Sequence, residues 1–304
     1  MLKAKLGIAP IAWSNDDLPQ LGGDTPLETC LAESRLAGFQ GVETGGKFPK
    51  NSEDLIPLLR EFRLELVSGW YSGTLLDGTV EEEIEKSLTQ LKLFRECGAV
   101  CLVYGETAGT IQNQQNVPLS RRRKLTDDQV REYGEKLSQF ATFCKEFGVP
   151  LAFHHHMGTA IEDEHDIDRL MAATSQDVGL LFDTGHLVFA GVDPFSVLSK
   201  HSKRINHVHT KDVRADVLQG LDRNKESFLD AVLKGVYTVP GDGCIDFSRV
   251  IQTLADANYQ GWFVVEAEQD PAKAPPLKYA RIGNTTLRNA LEKAGYTLNE
   301  EGNV

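Results

Sequence analysis

The chain has 304 residues, 41% of them hydrophobic and 25% charged, an ordinary globular composition. A formal net charge of -12 and a pI near 5.2 argue against nucleic acid as a partner, because polyanions need a basic face. No apolar run approaches the roughly 18 residues of a membrane span, and no basic region followed by an apolar signal core opens the chain.

Residues 5–13 predict a first strand that opens into a polar loop. Thr25-Pro26-Leu27-Glu28 combines a capping-box spacing with proline at the first helical position, predicting a helix to Ala37 that stops at Gly38. A short strand, 39–43, ends in the carboxylate of Glu43. The alternation then repeats, with a helix over 52–62 and a strand over 64–70. Thr79 and Glu82 form a second capping box, and Ile84, Leu88, Leu91 and Phe94 give that helix an apolar face up to Gly98. The apolar run 100–104 is the next strand. Arg121-Arg122-Arg123-Lys124 reads as a solvated loop before a long helix capped by Thr126 and Gln129 and closed by Gly148.

Directly behind that helix lies Val149-Pro-Leu-Ala-Phe-His-His-His156. In a strand successive side chains point to opposite faces, so His154 and His156 share a face and His155 takes the other. Histidine is a common nitrogen ligand for divalent metals, and this run sits mid-chain behind a β-prone segment, not at a terminus where a tag would lie. Helices near 162–174 and 194–200 lead to strands at 178–183 and 204–209. The last unit is a helix over 246–257, a turn at Asn258 and a strand over 262–266. A C-terminal helix near 276–294 precedes an expected frayed tail, 299–304.

Eight strands alternating with helices imply parallel pairing with right-handed crossovers, and predict a single (β/α)8 TIM barrel domain over 1–304. No G-x-G-x-x-G or Walker-type glycine run favours a nucleotide-binding sheet instead. In such barrels the functional side chains close the strands at their C-terminal ends. Here those ends carry Glu43, Trp70, Tyr104 with Glu106, His154 with His156, Asp183 with His186, His209 with Lys211, and Glu266 with Glu268. Buried ionisable groups are costly unless paired or metal-bound, so this pattern points to a metal-assisted site. Five cysteines, odd in number and widely spaced without a CxxC pair, fit a reducing cytoplasm.

Phe182-Asp-Thr-Gly-His186, His207-Val-His-Thr-Lys-Asp212 and Gly261-Trp-Phe-Val-Val-Glu266 together resemble the xylose-isomerase-like barrels. That group holds sugar isomerases, epimerases, dehydratases and an abasic-site endonuclease. The resemblance implies a divalent cation held by Glu, Asp, His and Glu on four strands, of which Asp183, His209 and Glu266 match. The first glutamate falls where this chain has His154. Either His154 is a ligand in a site of two imidazoles and two carboxylates, or that ligand is missing and water replaces it. Imidazole moves preference away from hard ions, so Mn²⁺ or Co²⁺ suits the set better than Mg²⁺.

Within the group, residues 7–16, Gly41-Val-Glu-Thr-Gly45, Phe153-His-His-His-Met-Gly-Thr159, Val239-Pro-Gly-Asp-Gly243 and Val265-Glu-Ala-Glu-Gln-Asp270 are similar to the inosose dehydratase family. This implies removal of water from 2-keto-myo-inositol, through an enediolate, to a trihydroxycyclohexane-1,2-dione in myo-inositol catabolism. Such a reaction needs a base for the α-proton and an acid for the departing hydroxyl. His156 and His186 are expected to share those roles, in either order. Lys211 is expected beside them, with Lys211 and Arg214 facing substrate oxygens and Glu43 orienting a hydroxyl or a histidine. Trp70 and Tyr104 are candidate substrate walls, and His207 a partner behind His209.

The partner expected is a small cyclic polyol ketone, with neither nucleic acid nor membrane, and a homo-oligomer stays open. The nearest rival is a sugar isomerase or epimerase, which returns the proton. A DNA endonuclease would need a basic groove, and a non-catalytic sugar-binding barrel would not need so many titratable strand ends.

Overall fold

A computed structural model describes residues 2–298; the tail expected at 299–304 lies outside them. Eleven strands are present among the described residues: β1 (Leu2–Ile8), β2 (Gly41–Thr44), β3 (Glu65–Gly73), β4 (Leu102–Glu106), β5 (Leu151–His154), β6 (Gly179–Asp183), β7 (Ile205–Thr210), β8 (Asp212–Val213), β9 (Tyr237–Thr238), β10 (Gly261–Val265) and β11 (Tyr296–Leu298). Strands β1 to β7 pair in sequence order, β10 follows β7, and β10 pairs back onto β1, which closes an eight-stranded parallel barrel. The expected TIM barrel is therefore the observed fold. β11 adds a short parallel pairing to the start of β1, with Leu2 opposite Tyr296.

The helix signals work for the reasons given by their chemistry. Thr79 and Thr126 accept the N–H groups of Glu82 and Gln129, whose side chains reach back in true capping boxes. Gly98 and Gly148 adopt left-handed backbone at the ends of those helices. The box expected at Thr25 does not form. Pro26, in extended backbone, is itself the cap of Leu27–Leu36, so Thr25 falls one residue too early. The Val80–Cys97 helix buries Leu91 and Phe94 as expected, but Leu88 is 40% exposed. Glu83 is buried instead, accepting from the N–H and hydroxyl of Thr74.

The principal core lies between barrel and helices, from Leu6 and Phe39 round to Phe263 and Leu291. A second apolar cluster joins Leu18, Leu119, Met157, Phe189, Phe228 and Tyr237. It is built largely by an insertion after β7, in which the antiparallel β8–β9 ribbon and two short helices, Ala215–Gln219 and Phe228–Leu233, fold over one side of the barrel. Two-residue strands carry no periodic signal, so this insertion is absent from the sequence prediction.

Candidate metal centre and active site

Four strand ends converge at the C-terminal mouth. His154 closes β5, Asp183 closes β6, His209 lies on β7 and Glu266 directly follows β10. One ligand atom from each lies within 4.8 Å of the others, and all four residues are buried. His154 Nε2 is 3.7 Å from Asp183 Oδ2, and His209 Nδ1 is 3.6 Å from that oxygen and 3.3 Å from Glu266 Oε2. Ligands of one tetrahedral ion with bonds near 2.1 Å stand about 3.4 Å apart, so the spacing suits a shared cation.

Neighbouring bonds leave the right atoms over. His154 Nδ1 donates to the His155 carbonyl at 2.5 Å, which places its lone pair on Nε2. Asp183 Oδ1 caps the Thr184–Phe189 helix by accepting the His186 N–H at 2.8 Å, leaving Oδ2 for the centre. His209 gives Nε2–H to Glu43 Oε1 at 3.0 Å, leaving Nδ1. Asp183 Oδ2 and His209 Nδ1 are buried and make no directed hydrogen bond, while Glu266 Oε2 lies 2.7 Å from the Lys211 ammonium. Buried polar atoms without partners are rare, and two of them converging with His154 Nε2 and Glu266 Oε2 fit a divalent ion bound by two imidazoles and two carboxylates.

Glu43 lies behind this cluster. Its Oε1 also accepts from Ser68 Oγ at 2.6 Å and His207 Nε2 at 3.0 Å. Burial opposes its ionisation, but the imidazoles of His209 and His207 outweigh that and hold the carboxyl far below the usual carboxylate range. Glu43 thus orients histidines, one of the two uses the sequence suggested, although it also touches the cavity wall.

The cavity above the cluster has a volume of about 510 Å³, ordinary for a small-molecule site. Trp70 is one wall, its ring 5.7 Å from those of both His154 and His156. A Cβ on Gly105 would sit 1.9 Å from the Trp70 ring, so only glycine allows the indole to lie across β4. His156 also faces the cavity, with Nδ1 donating to the Met157 carbonyl at 2.8 Å and Nε2 left as the basic nitrogen. Burial, helped by the Lys211 charge, pulls its pKa down to about 4, so the ring is neutral at pH 7.

Four expected site residues are not at the cavity wall. His186 is sealed below His156, their rings 3.9 Å apart; its Nδ1 meets the Met157 N–H and Tyr237 hydroxyl, and its Nε2 meets Lys211 Nζ. The Asp183 cap is the cause, since it folds the chain back and carries His186 under the strand ends. Lys211 is wholly buried, its ammonium 2.7 Å from Glu266 Oε2 and 3.0 Å from Glu268 Oε2. Its stem passes where a Cβ on Gly185 would lie, 2.5 Å from Lys211 Cγ. Tyr104 points outward to Tyr71, Phe140 and Phe153, because its neighbour Val103 takes the inward face. Arg214 is held by the carbonyls of Gly235 and Tyr237 and by Asp242, as a brace of the ribbon.

Glu268, by contrast, lines the cavity. Burial pushes its carboxyl up to about 7 even though the Lys211 ammonium opposes the shift. In the sequence it is marked only by its place two residues past Glu266 at a strand end. Asp16, Asp17, Thr107, Thr110, Gln112 and Asn113 also reach the cavity, from the loops after β1 and β4.

Fold and site together define a parallel α/β barrel with a mixed imidazole–carboxylate centre able to hold a metal at the C-terminal end of its strands. The chain belongs to the xylose isomerase-like TIM barrel family, whose profile matches residues 31–290. It is 48% identical to the rhizopine catabolism protein MocC of Rhizobium meliloti, across 98% of this chain and 92% of that one. It is 46% identical to the inosose dehydratase of Geobacillus thermodenitrificans, across 94% and 97%. Among solved structures it resembles the IolI protein with a bound zinc atom, at a TM-score of 0.64 and 15% identity over 95% and 97% of the two chains.

Proposed function

We propose that this enzyme is a metal-dependent hydro-lyase that dehydrates 2-keto-myo-inositol to a trihydroxycyclohexane-1,2-dione. The observation that carries the proposal is the convergence of His154 Nε2, Asp183 Oδ2, His209 Nδ1 and Glu266 Oε2, two of them unpartnered, in a chain closely similar to inosose dehydratases. These four residues are the ligands, and His154 takes the place of a carboxylate. Mn²⁺ or Co²⁺ suits their mixed nitrogen and oxygen set, and zinc in the IolI relative supports a divalent ion of this kind. When bound, the cation supplies a Lewis acid for the substrate's ketone oxygen.

The protein's own groups divide the remaining work. His156 Nε2 faces the cavity as a neutral imidazole and takes the proton from the carbon next to the ketone. The electron pair of that C–H bond forms the carbon–carbon double bond, and the β-hydroxyl leaves with the pair of its C–O bond. Glu268 delivers the proton that turns the departing hydroxyl into water. Lys211, fixed between Glu266 and Glu268, positions both carboxylates, and His186 supports Lys211 from behind. Trp70 shields one face of the ring. The enol product then relaxes to the dione. Five cysteines that form no disulfide support a reducing cytoplasm as the setting of this activity.

Dione formation from 2-keto-myo-inositol, followed by absorbance, is expected in preparations loaded with Mn²⁺ or Co²⁺ and abolished by a chelator. Turnover of a ketohexose with no dione under any metal would favour the sugar isomerase reading.

A further inference from the structure

Part of the cavity wall is formed by two loops that carry none of the four metal ligands. After β1, Asn15 Oδ1 accepts the N–H groups of Asp17 and Leu18, fixing the turn that brings Asp16 and Asp17 to the cavity. Asp16 Oδ2 accepts the Gly46 N–H at 2.8 Å, tying this loop to the one after β2. After β4, the Ile111 N–H donates to the Gly158 carbonyl, and Gly158 approaches the Gln112 backbone so closely that a Cβ would stand 3.1 Å from it. Gln112 is thereby fixed in the wall, only 6% exposed, with a side-chain oxygen that no donor satisfies. A buried carboxamide without a partner at a cavity wall has its missing bond to make with a ligand.

The cavity lining contains Asp16, Asp17, Glu43, Glu266 and Glu268 but neither lysine nor arginine. Nearby cations are engaged elsewhere. Lys211 is held by Glu266 and Glu268, Arg122 by Glu162, Asp163 and Asp166, and Lys47 by the carbonyls of Gly23 and Thr25. A bound divalent ion does not change the sign, because Asp183 and Glu266 match its charge.

We propose that Asp16, Asp17 and Gln112 contact substrate hydroxyls that the metal does not hold, and that together they admit neutral polyols while rejecting phosphate esters and carboxylates. The inference rests on the cavity being the polyol site described above. A hydroxyl can donate to each of these acceptors, whereas a phosphate monoester brings negative charge against carboxylates with no cation to offset it. The filter separates this chain's substrate from sugar phosphates, which barrels of the same shape can also serve.

The test is equilibrium binding to the metal-loaded enzyme of two probes with the same ring, myo-inositol and myo-inositol 1-phosphate. The phosphate is expected to bind at least about tenfold more weakly, and the Asp16→Asn/Asp17→Asn double variant to narrow that ratio while weakening myo-inositol itself. Gln112→Leu is expected to raise KM for the keto-inositol. Equal or tighter binding of the phosphate, or an unchanged ratio in the double variant, overturns the inference. Binding is read without turnover, so absence of dione with the ratio intact removes the dehydratase reading and leaves the filter standing. Dione formation with an equally bound phosphate does the reverse.

Discussion

Replacing Glu43 by glutamine tests whether the centre depends on the carboxylate behind it. Oε1 takes three donors, from Ser68 at 2.6 Å and from His207 and His209 at 3.0 Å each. The His209 bond matters most, since it keeps the proton on Nε2 and turns Nδ1 toward Asp183 and Glu266. Glutamine preserves the shape and one accepting oxygen but removes the charge that makes His209 a strong ligand. Loss of such a partner behind a metal-bound histidine costs about 10–100-fold in metal affinity, or about 1.4–2.7 kcal/mol. Glu43→Ala should cost more, because it leaves three buried donors unsatisfied. The assay is competition for Mn²⁺ or Co²⁺ against a chelator of known affinity, with thermal melting of the apo form as a control for folding. Metal affinity within twofold of the parent in Glu43→Gln would refute the reasoning and make Glu43 a substrate contact alone.

Two further outcomes separate ligands, catalysts and structure. His156→Asn retains a donor for the Met157 carbonyl but has no basic nitrogen, so kcat should fall by about 10²–10⁴-fold with metal content unchanged; loss of metal would place His156 among the ligands. Glu106 is buried away from the cluster, accepting from Tyr104, Leu76 and Ala108, and burial raises its pKa from 4.5 to about 7. The native state therefore holds that proton more tightly than the unfolded chain, so its stabilising effect is complete below pH 4.5 and is lost as pH rises to about 7. A displacement of that size corresponds to roughly 3 kcal/mol, and denaturant melts of Glu106→Gln should lack the decline expected of the parent as pH rises from 4.5 to about 7; parallel profiles would dismiss it.

Much of the site was legible because a barrel places chemistry at strand ends and apolar runs mark the strands. His154, Asp183 and Glu266 each follow or end a run too apolar to be a surface segment, so their polarity there demanded a reason. Alternation also put His154 and His156 on one side correctly, although β5 ends at His154 and the next two residues lie beyond the ladder. What sequence could not provide was depth. His186 and Lys211 occupy the same sequence neighbourhoods as true cavity residues, and only the Asp183 cap and the packing against Gly185 and Tyr237 send them beneath the surface. Tyr104 was recoverable in principle, since Val103 and Tyr104 cannot both face inward. Asp16, Asp17 and Gln112 lie in loops without periodicity, and their place in the wall depends on contacts with Asn15, Gly46 and Gly158.

The same depth ordering explains how the chain tolerates so many ionisable groups in one place. A divalent ion held by Asp183 and Glu266 would be neutral there, and the Lys211 ammonium would balance the carboxylate that Glu268 becomes on giving up its proton. On the proposed ligand set, His154 in place of a third carboxylate would keep that balance, because a neutral imidazole adds a ligand without adding charge. A glutamate there would leave an excess negative charge in a region of low dielectric, at a cost that grows as water is excluded. Burial of the cluster and the choice of imidazole at 154 are therefore two aspects of one constraint. On the proposed mechanism, Glu268 can give its proton to the departing hydroxyl because the carboxylate left behind sits 3.0 Å from the Lys211 ammonium.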